Sequence, residues 1–212
     1  MTIASINNNH TKVIFKRTNE NIKIYNIEEN RITEEIPETS TAIWYDYHAN
    51  NETVYFLLSD NNLDTYGPDV LSRKPINLRS LSPQLGATIR GVVVLENGDF
   101  IFSSFASGIF NTSFLFSSDG TEILFQNETS ANRRYFRINA SETRLWMGDI
   151  NDLFLHKYRL PGIDYINSEN NERIGIPTEN GVGYIITENN EIKTPGFQTI
   201  RTPGGNFTSV DF

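Results

Sequence analysis

Few side chains in this sequence are typed and spaced for chemistry. His10, His48 and His156 are the three histidines. None stands four residues from another, as two zinc ligands on one helix face would. Cysteine is absent, which removes disulfides, thiolate zinc sites, iron–sulfur clusters and cysteine nucleophiles. No Gly-x-Ser-x-Gly elbow occurs; Ser107-Gly108 comes nearest and lacks the first glycine. Gly181-Val182-Gly183 leads into a strand-like stretch, whereas a phosphate-binding loop requires a helix there. Carboxylates are better placed. Asp60, Asp99 and Asp149 each lie near a turn or strand end, where oxygen ligands of a hard cation gather. They do not hold equivalent positions, however, so solvated turn acids are expected. Asp60-Asn61-Asn62-Leu63-Asp64 lacks the glycine and distal glutamate of a calcium loop. Aromatic rings are the last group. An open Trp or Tyr face stacks on the apolar side of a sugar, and Trp44, Tyr45, Tyr66 and Trp146 are the binding candidates. The competing expectation for them is core packing. No catalytic residue, cofactor or metal ligand is expected.

The elements that would position these residues are strands. Short β-branched and aromatic runs recur, each closed by turn residues: Val13 to Phe15, Ile22 to Tyr25, Ala42 to Tyr45, Val54 to Leu58 and Gly91 to Leu95. Others are Phe100 to Phe102, Ser113 to Phe116, Ile123 to Phe125, Tyr135 to Ile138, Leu145 to Met147, Leu153 to Leu155 and Tyr184 to Ile186. No stretch of eleven residues sustains a helical apolar period, so the pattern is all-β. Asn97-Gly98 and Asp119-Gly120 predict two-residue type I′ hairpins. Much of the asparagine, 25 of 212 residues, is explained by turns, since Asn tolerates the left-handed region. The same abundance accounts for six chance glycosylation sequons, at Asn9, Asn51, Asn111, Asn127, Asn139 and Asn206. Residues 63–90 and 159–181 hold most of the prolines and several glycines and are expected to be irregular connections.

A strand–turn–strand unit repeats. Taking its turns at Glu20, Asn51, Asn97, Ser141 and Asn189 gives intervals of 31, 46, 44 and 48 residues. Three of these match a four-stranded unit, and the short first interval predicts an opening unit lacking a strand. Ile138 to Asp149, with Leu145-Trp146-Met147-Gly148-Asp149, followed by Leu153 to Tyr158, resembles the cadence of β-propeller repeats. The Gly-His and Trp-Asp marks of WD40 blades and the kelch double glycine are missing. The resemblance implies a small β-propeller of five blades, at residues 10–37, 40–80, 87–128, 133–168 and 178–212, its ring closed by the C-terminal strand Thr208 to Phe212. A β-sandwich is the alternative. It also implies that a lactonase-like member would gather acids around its channel to hold Ca²⁺.

The net charge is −8, opposite to that of a nucleic-acid binder, and the densest basic stretch, Arg73, Lys74 and Arg79, is thin. The N-terminus has no basic start or apolar h-region of a signal peptide, and Val92 to Leu95 is far too short an apolar run to span a bilayer. These features imply a soluble chain made in the cytoplasm, binding neither nucleic acid nor membrane. The functional expectation is a non-enzymatic protein-interaction module, a structural subunit of a larger assembly such as a phage or virus particle. A glycan-binding lectin and a metal-dependent propeller hydrolase or lactonase are the alternatives.

Overall fold

Runs such as Val54 to Leu58 are apolar at every position rather than at alternate ones, so strands built from them must bury both faces. The computed structural model shows how. It describes residues 4–68, 70, 71, 75–81, 88–105, 111–129, 135–139, 141–149, 152–170, 172–177, 183–187, 191–193 and 199–201. The strands form five four-stranded antiparallel sheets, each in simple chain order. The first contains β1 (Ala4–Ile6), β2 (Lys12–Phe15), β3 (Ile22–Asn26) and β4 (Arg31–Ile36). The second contains β5 (Ala42–Tyr47), β6 (Val54–Leu58), β7 (Asn62–Tyr66) and β8 (Ile76–Asn77), followed by the four-residue helix α1 (Leu78–Leu81). The third contains β9 (Thr88–Val94), β10 (Phe100–Phe105), β11 (Asn111–Phe116) and β12 (Ile123–Thr129). The fourth contains β13 (Tyr135–Ile138), β14 (Arg144–Asp149), β15 (Asp152–Arg159) and β16 (Asp164–Asn170). The fifth contains β17 (Glu172–Pro177), β18 (Gly183–Thr187), β19 (Glu191–Lys193) and β20 (Thr199–Arg201). Five sheets replace the two facing layers of a sandwich. Among the described residues no helix is long and apolar enough to cross a membrane.

Successive sheets stack face to face, and the two-residue period of a strand divides the apolar side chains between neighbours. In the second sheet, Tyr45, Val54 and Phe56 face Ile14, Ile22 and Ile24 of the first. The intervening Trp44, Tyr55 and Leu57 face Val92, Phe100 and Phe102 of the third. In the third sheet, Val93, Ile101 and Leu115 turn the other way onto Phe136, Leu145 and Met147 of the fourth. Trp146 points back from those two onto the fifth sheet. A Cβ at Gly175 of β17 would stand 2.5 Å from its ring, so only glycine lets β17 come this close. The third sheet adds a cluster of Phe100, Phe102, Phe114 and Phe116. Its centroids lie 5.3 to 6.3 Å apart, within the range of favourable ring pairs.

The turns depart from the expected type. At Asn97-Gly98 and Asp119-Gly120 only the glycines have positive φ, 89° and 69°. The Gly98 N–H donates to Leu95 O at 2.9 Å, and Gly120 N–H to Ser117 O at 2.8 Å. These are hairpin loops of three (96–98) and four (118–121) residues with one left-handed glycine each, not type I′ pairs. The same bond recurs where the first strand of a sheet turns into the second: His10 to Asn7, Asn51 to His48, Gly98 to Leu95 and Glu142 to Asn139. The donors all have positive φ, at intervals of 41, 47 and 44 residues. Glu20, by contrast, lies in the turn between β2 and β3, where its N–H donates to Arg17 O. The short first interval therefore compared two different turns, and the first sheet takes all four strands from residues 4–36. The closing strand expected at Thr208 to Phe212 lies outside the described residues.

The expected first and last units begin at residues 10 and 178, so β1 and β17 fall outside them. The stretch 159–181, expected to be irregular, holds all of β16 and β17, and 63–90 holds most of β7, all of β8 and α1.

Candidate functional site

The first strand of every sheet ends at one cavity of about 520 Å³. Its wall takes Ser5 and Ile6 from β1, Asp46 and Tyr47 from β5, Val93 and Val94 from β9, Phe136 to Ile138 from β13, and Pro177 from β17. Five strands converging on one space is the axial arrangement that radial stacking of blades produces. Asp46 and Arg137 are the charged groups that the strands contribute to it, and Glu96 and Glu142 come from the turns. The two strand charges are inward-pointing on otherwise apolar strands, so each requires a partner.

Asp46 has partners on both sides. Its Oδ1 accepts from Ser5 Oγ of the first sheet and, at 2.9 Å, from the Tyr47 N–H. Its Oδ2 lies 3.5 Å from Arg137 Nη1 of the fourth sheet. Arg137 Nη1 also donates to Phe136 O at 3.0 Å, and its guanidinium carbon stands 5.7 Å from the centroid of the Trp44 ring. Three sheets are thus tied across the cavity by one carboxylate. With one oxygen accepting hydrogen bonds and the other facing a guanidinium, Asp46 braces the sheets.

The turns around the mouth are linked as well. His48 is 3% exposed. Its Nδ1 accepts the Asn50 N–H at 3.3 Å, which assigns the proton to Nε2, 2.9 Å from Leu95 O of the next sheet. One sheet further, the Glu96 N–H donates to Glu142 Oε1 at 2.6 Å. Burial raises the Glu142 pKa above the ordinary carboxylate value, and this hydrogen bond opposes the rise. Asn139 stitches its own turn, its Oδ1 accepting from Thr143 N–H at 2.9 Å and Arg144 N–H at 2.7 Å. Asn7 does the same with Thr11 and Lys12.

The four aromatic candidates do not meet at this cavity. Trp44, Tyr45 and Trp146 are 7%, 4% and 1% exposed, packed between sheets with no ring face left for a sugar. Lys157 Nζ lies 4.6 Å from the Trp146 centroid. Tyr66 is half-buried, and its hydroxyl donates to Glu34 Oε2 at 3.0 Å, joining the second sheet to the first. That bond raises its pKa above the usual tyrosine value. Burial, together with the charge of Glu34, also raises the pKa of Tyr47. The aromatic composition therefore reports inter-sheet packing. Of the three aspartates, Asp60 holds the Asn62 N–H at 3.1 Å and Asp99 holds the Ser118 N–H at 3.0 Å; the Asp149 side chain lies outside the described residues. Among the described residues, no three His, Cys, Asp or Glu side chains gather as a metal site requires.

Sequence reasoning weighed His48 only as a metal ligand and passed over Asp46, Arg137 and Glu142. The available signal was a charge set between aromatic or apolar neighbours, as in Tyr45-Asp46-Tyr47 and Phe136-Arg137-Ile138. A charge held in such a run must find an opposite charge from a distant strand.

No family model matches the sequence, and no curated protein matches it. Among solved structures, the β-propeller domain of Cps50 (Swd1) from Myceliophteria thermophila is similar over 93% of this chain and 70% of that one, with 9% identity and a TM-score of 0.64. At that identity the likeness speaks for architecture alone. The architecture it shares with these stacked four-stranded antiparallel sheets is that of a β-propeller.

Proposed function

We propose that the five sheets are the blades of one five-bladed ring, and that the protein is a non-enzymatic module that binds a protein partner through its outer rim, as a subunit of a larger assembly. The observation that carries this reading is that five of the seven exposed large apolar side chains among the described residues lie on outermost strands, the others being Ile27 in the turn before β4 and Ile43 on β5. Ile32 on β4, Ile123 and Leu124 on β12, and Tyr165 and Ile166 on β16 are 40 to 54% exposed. All five lie on the outermost strands of their sheets. Outermost strands leave backbone groups and side chains unpaired, and natural proteins usually guard them with charge. Apolar residues held there are suited to contact with another protein. The convergence of the first strands on one cavity supports the ring. The mutual engagement of Ser5, Asp46 and Arg137 supports a structural rather than catalytic interior.

The test is sedimentation of the protein from its native source, comparing wild type with the double variant Leu124→Asp, Tyr165→Asp. Wild type is expected in a species larger than the 24.2 kDa monomer, and the variant as a folded monomer. Wild type sedimenting alone, as the monomer, would overturn the reading.

A further inference from the structure

A second cleft, of about 360 Å³, opens between the first two sheets at the end of the strands opposite the cavity mouth. It is formed by the turn from β2 to β3, the segment entering β5, and the residue after β6. Lys16 and Arg17 contribute cations, and Ser40, Thr41 and Ser59 contribute hydroxyls. Beside them stands Ile43, an apolar side chain left 49% exposed. In a chain of net charge −8, two adjacent cations in a hollow require an explanation.

The carboxylates nearest in sequence supply one only in part. Glu20 is held by Lys23 at 2.7 Å; Lys23 foremost, and the charge of Arg17 with it, lower its pKa below the ordinary value. Asp60 is engaged by the N–H and side-chain amide of Asn62. Glu38 is exposed on the adjoining turn. Asn19, with φ of 62°, shapes the turn that carries the cations. The geometry points to a binding site for a phosphate or sulfate monoester. The anionic group would lie between Lys16, Arg17 and the hydroxyls, and the organic body against Ile43. Guanidinium, ammonium and hydroxyl donors are the groups that recognise tetrahedral oxyanions.

The experiment is a heteronuclear NMR titration of the whole chain at constant ionic strength, with phenyl phosphate, phenyl sulfate and inorganic phosphate as probes. The expected result is saturable shifts confined to residues 16–19, 40–43 and 59, with phenyl phosphate binding more tightly than inorganic phosphate. Preference for phenyl phosphate over phenyl sulfate at pH 8 identifies a phosphate ester, and equal affinity a site for either ester. The double variant Lys16→Gln, Arg17→Gln should weaken phenyl phosphate at least about tenfold, the loss of one to two charge-assisted hydrogen bonds. Ile43→Ser should abolish the preference over inorganic phosphate. Shifts that never saturate, or that spread over every exposed lysine, overturn the site, as does undiminished affinity in the double variant. If the double variant fails to fold, the wild-type shift map and Ile43→Ser decide the matter.

Discussion

Gly98 shows how tightly single residues are held. Its φ of 89° suits glycine, and a Cβ there would stand 1.9 Å from Val70 O. Gly98→Ala should therefore cost more than about 2 kcal/mol, since left-handed strain alone costs roughly 1–2; the urea midpoint measures it. Asn51→Gly, at an equivalent turn with φ of 61°, should leave that midpoint nearly unchanged. Glu142 makes a prediction about pH. Its folded pKa is raised, chiefly by burial, so the protonated form suits the native state and its contribution is lost as pH rises through the folded pKa. Gln keeps an oxygen to accept the Glu96 N–H without the charge. Glu142→Gln should raise Tm at pH 7, and the gain should vanish below about pH 4, where the glutamate is protonated in both states.

At the scale of elements, most inner strands were visible in the sequence, though β1 and β17 were not, and of the outer strands only β12 was. β6 and β10 bury both faces, so their side chains form unbroken apolar runs, Val54 to Leu57 and Phe100 to Phe102. Outer strands have a neighbour on one side only. β4 and β16, Arg-Ile-Thr-Glu-Glu-Ile and Asp-Tyr-Ile-Asn-Ser-Glu-Asn, mix charge and amide and carry little period. Turn chemistry was visible as residue type but not as position, because Asn marks several turns of a sheet alike; that is why Glu20 was paired with Asn51. The Trp146–Gly175 contact was hidden, since nothing local tells a packing glycine from a turn glycine. It predicts that Gly175→Ala displaces the indole and loosens the fifth sheet from the fourth, seen as a red shift of tryptophan emission and a lower Tm. Phe102→Ala, in the phenylalanine cluster of the third sheet, should cost about 3–5 kcal/mol, read from the urea midpoint.

For the whole molecule, polar ties across the cavity accompany sheets otherwise held by apolar contact. Asp46 and Arg137 have side chains only 19% and 13% exposed, so their interaction is screened less than a surface pair's. A double-mutant cycle on Asp46→Asn and Arg137→Leu should return a coupling above about 0.5 kcal/mol, the threshold for residues that share a network. Each single variant should also lower stability, Arg137→Leu the more, since it leaves a carboxylate without its cation. Truncating a rim residue such as Leu124 should stay within about 0.5 kcal/mol of wild type. Stability and partner binding would thereby separate onto the inner and outer strands.

The axial brace has a further consequence during synthesis. Ser5 and Asp46 emerge from the ribosome early, whereas Arg137 follows about 90 residues later, a delay of roughly 5–20 seconds at ordinary elongation rates. Through that interval the nascent first two sheets carry an acid with no counter-ion and one apolar flank uncovered. A stalled or truncated product ending before residue 137 would therefore be a poor candidate for independent folding and a natural client for chaperones.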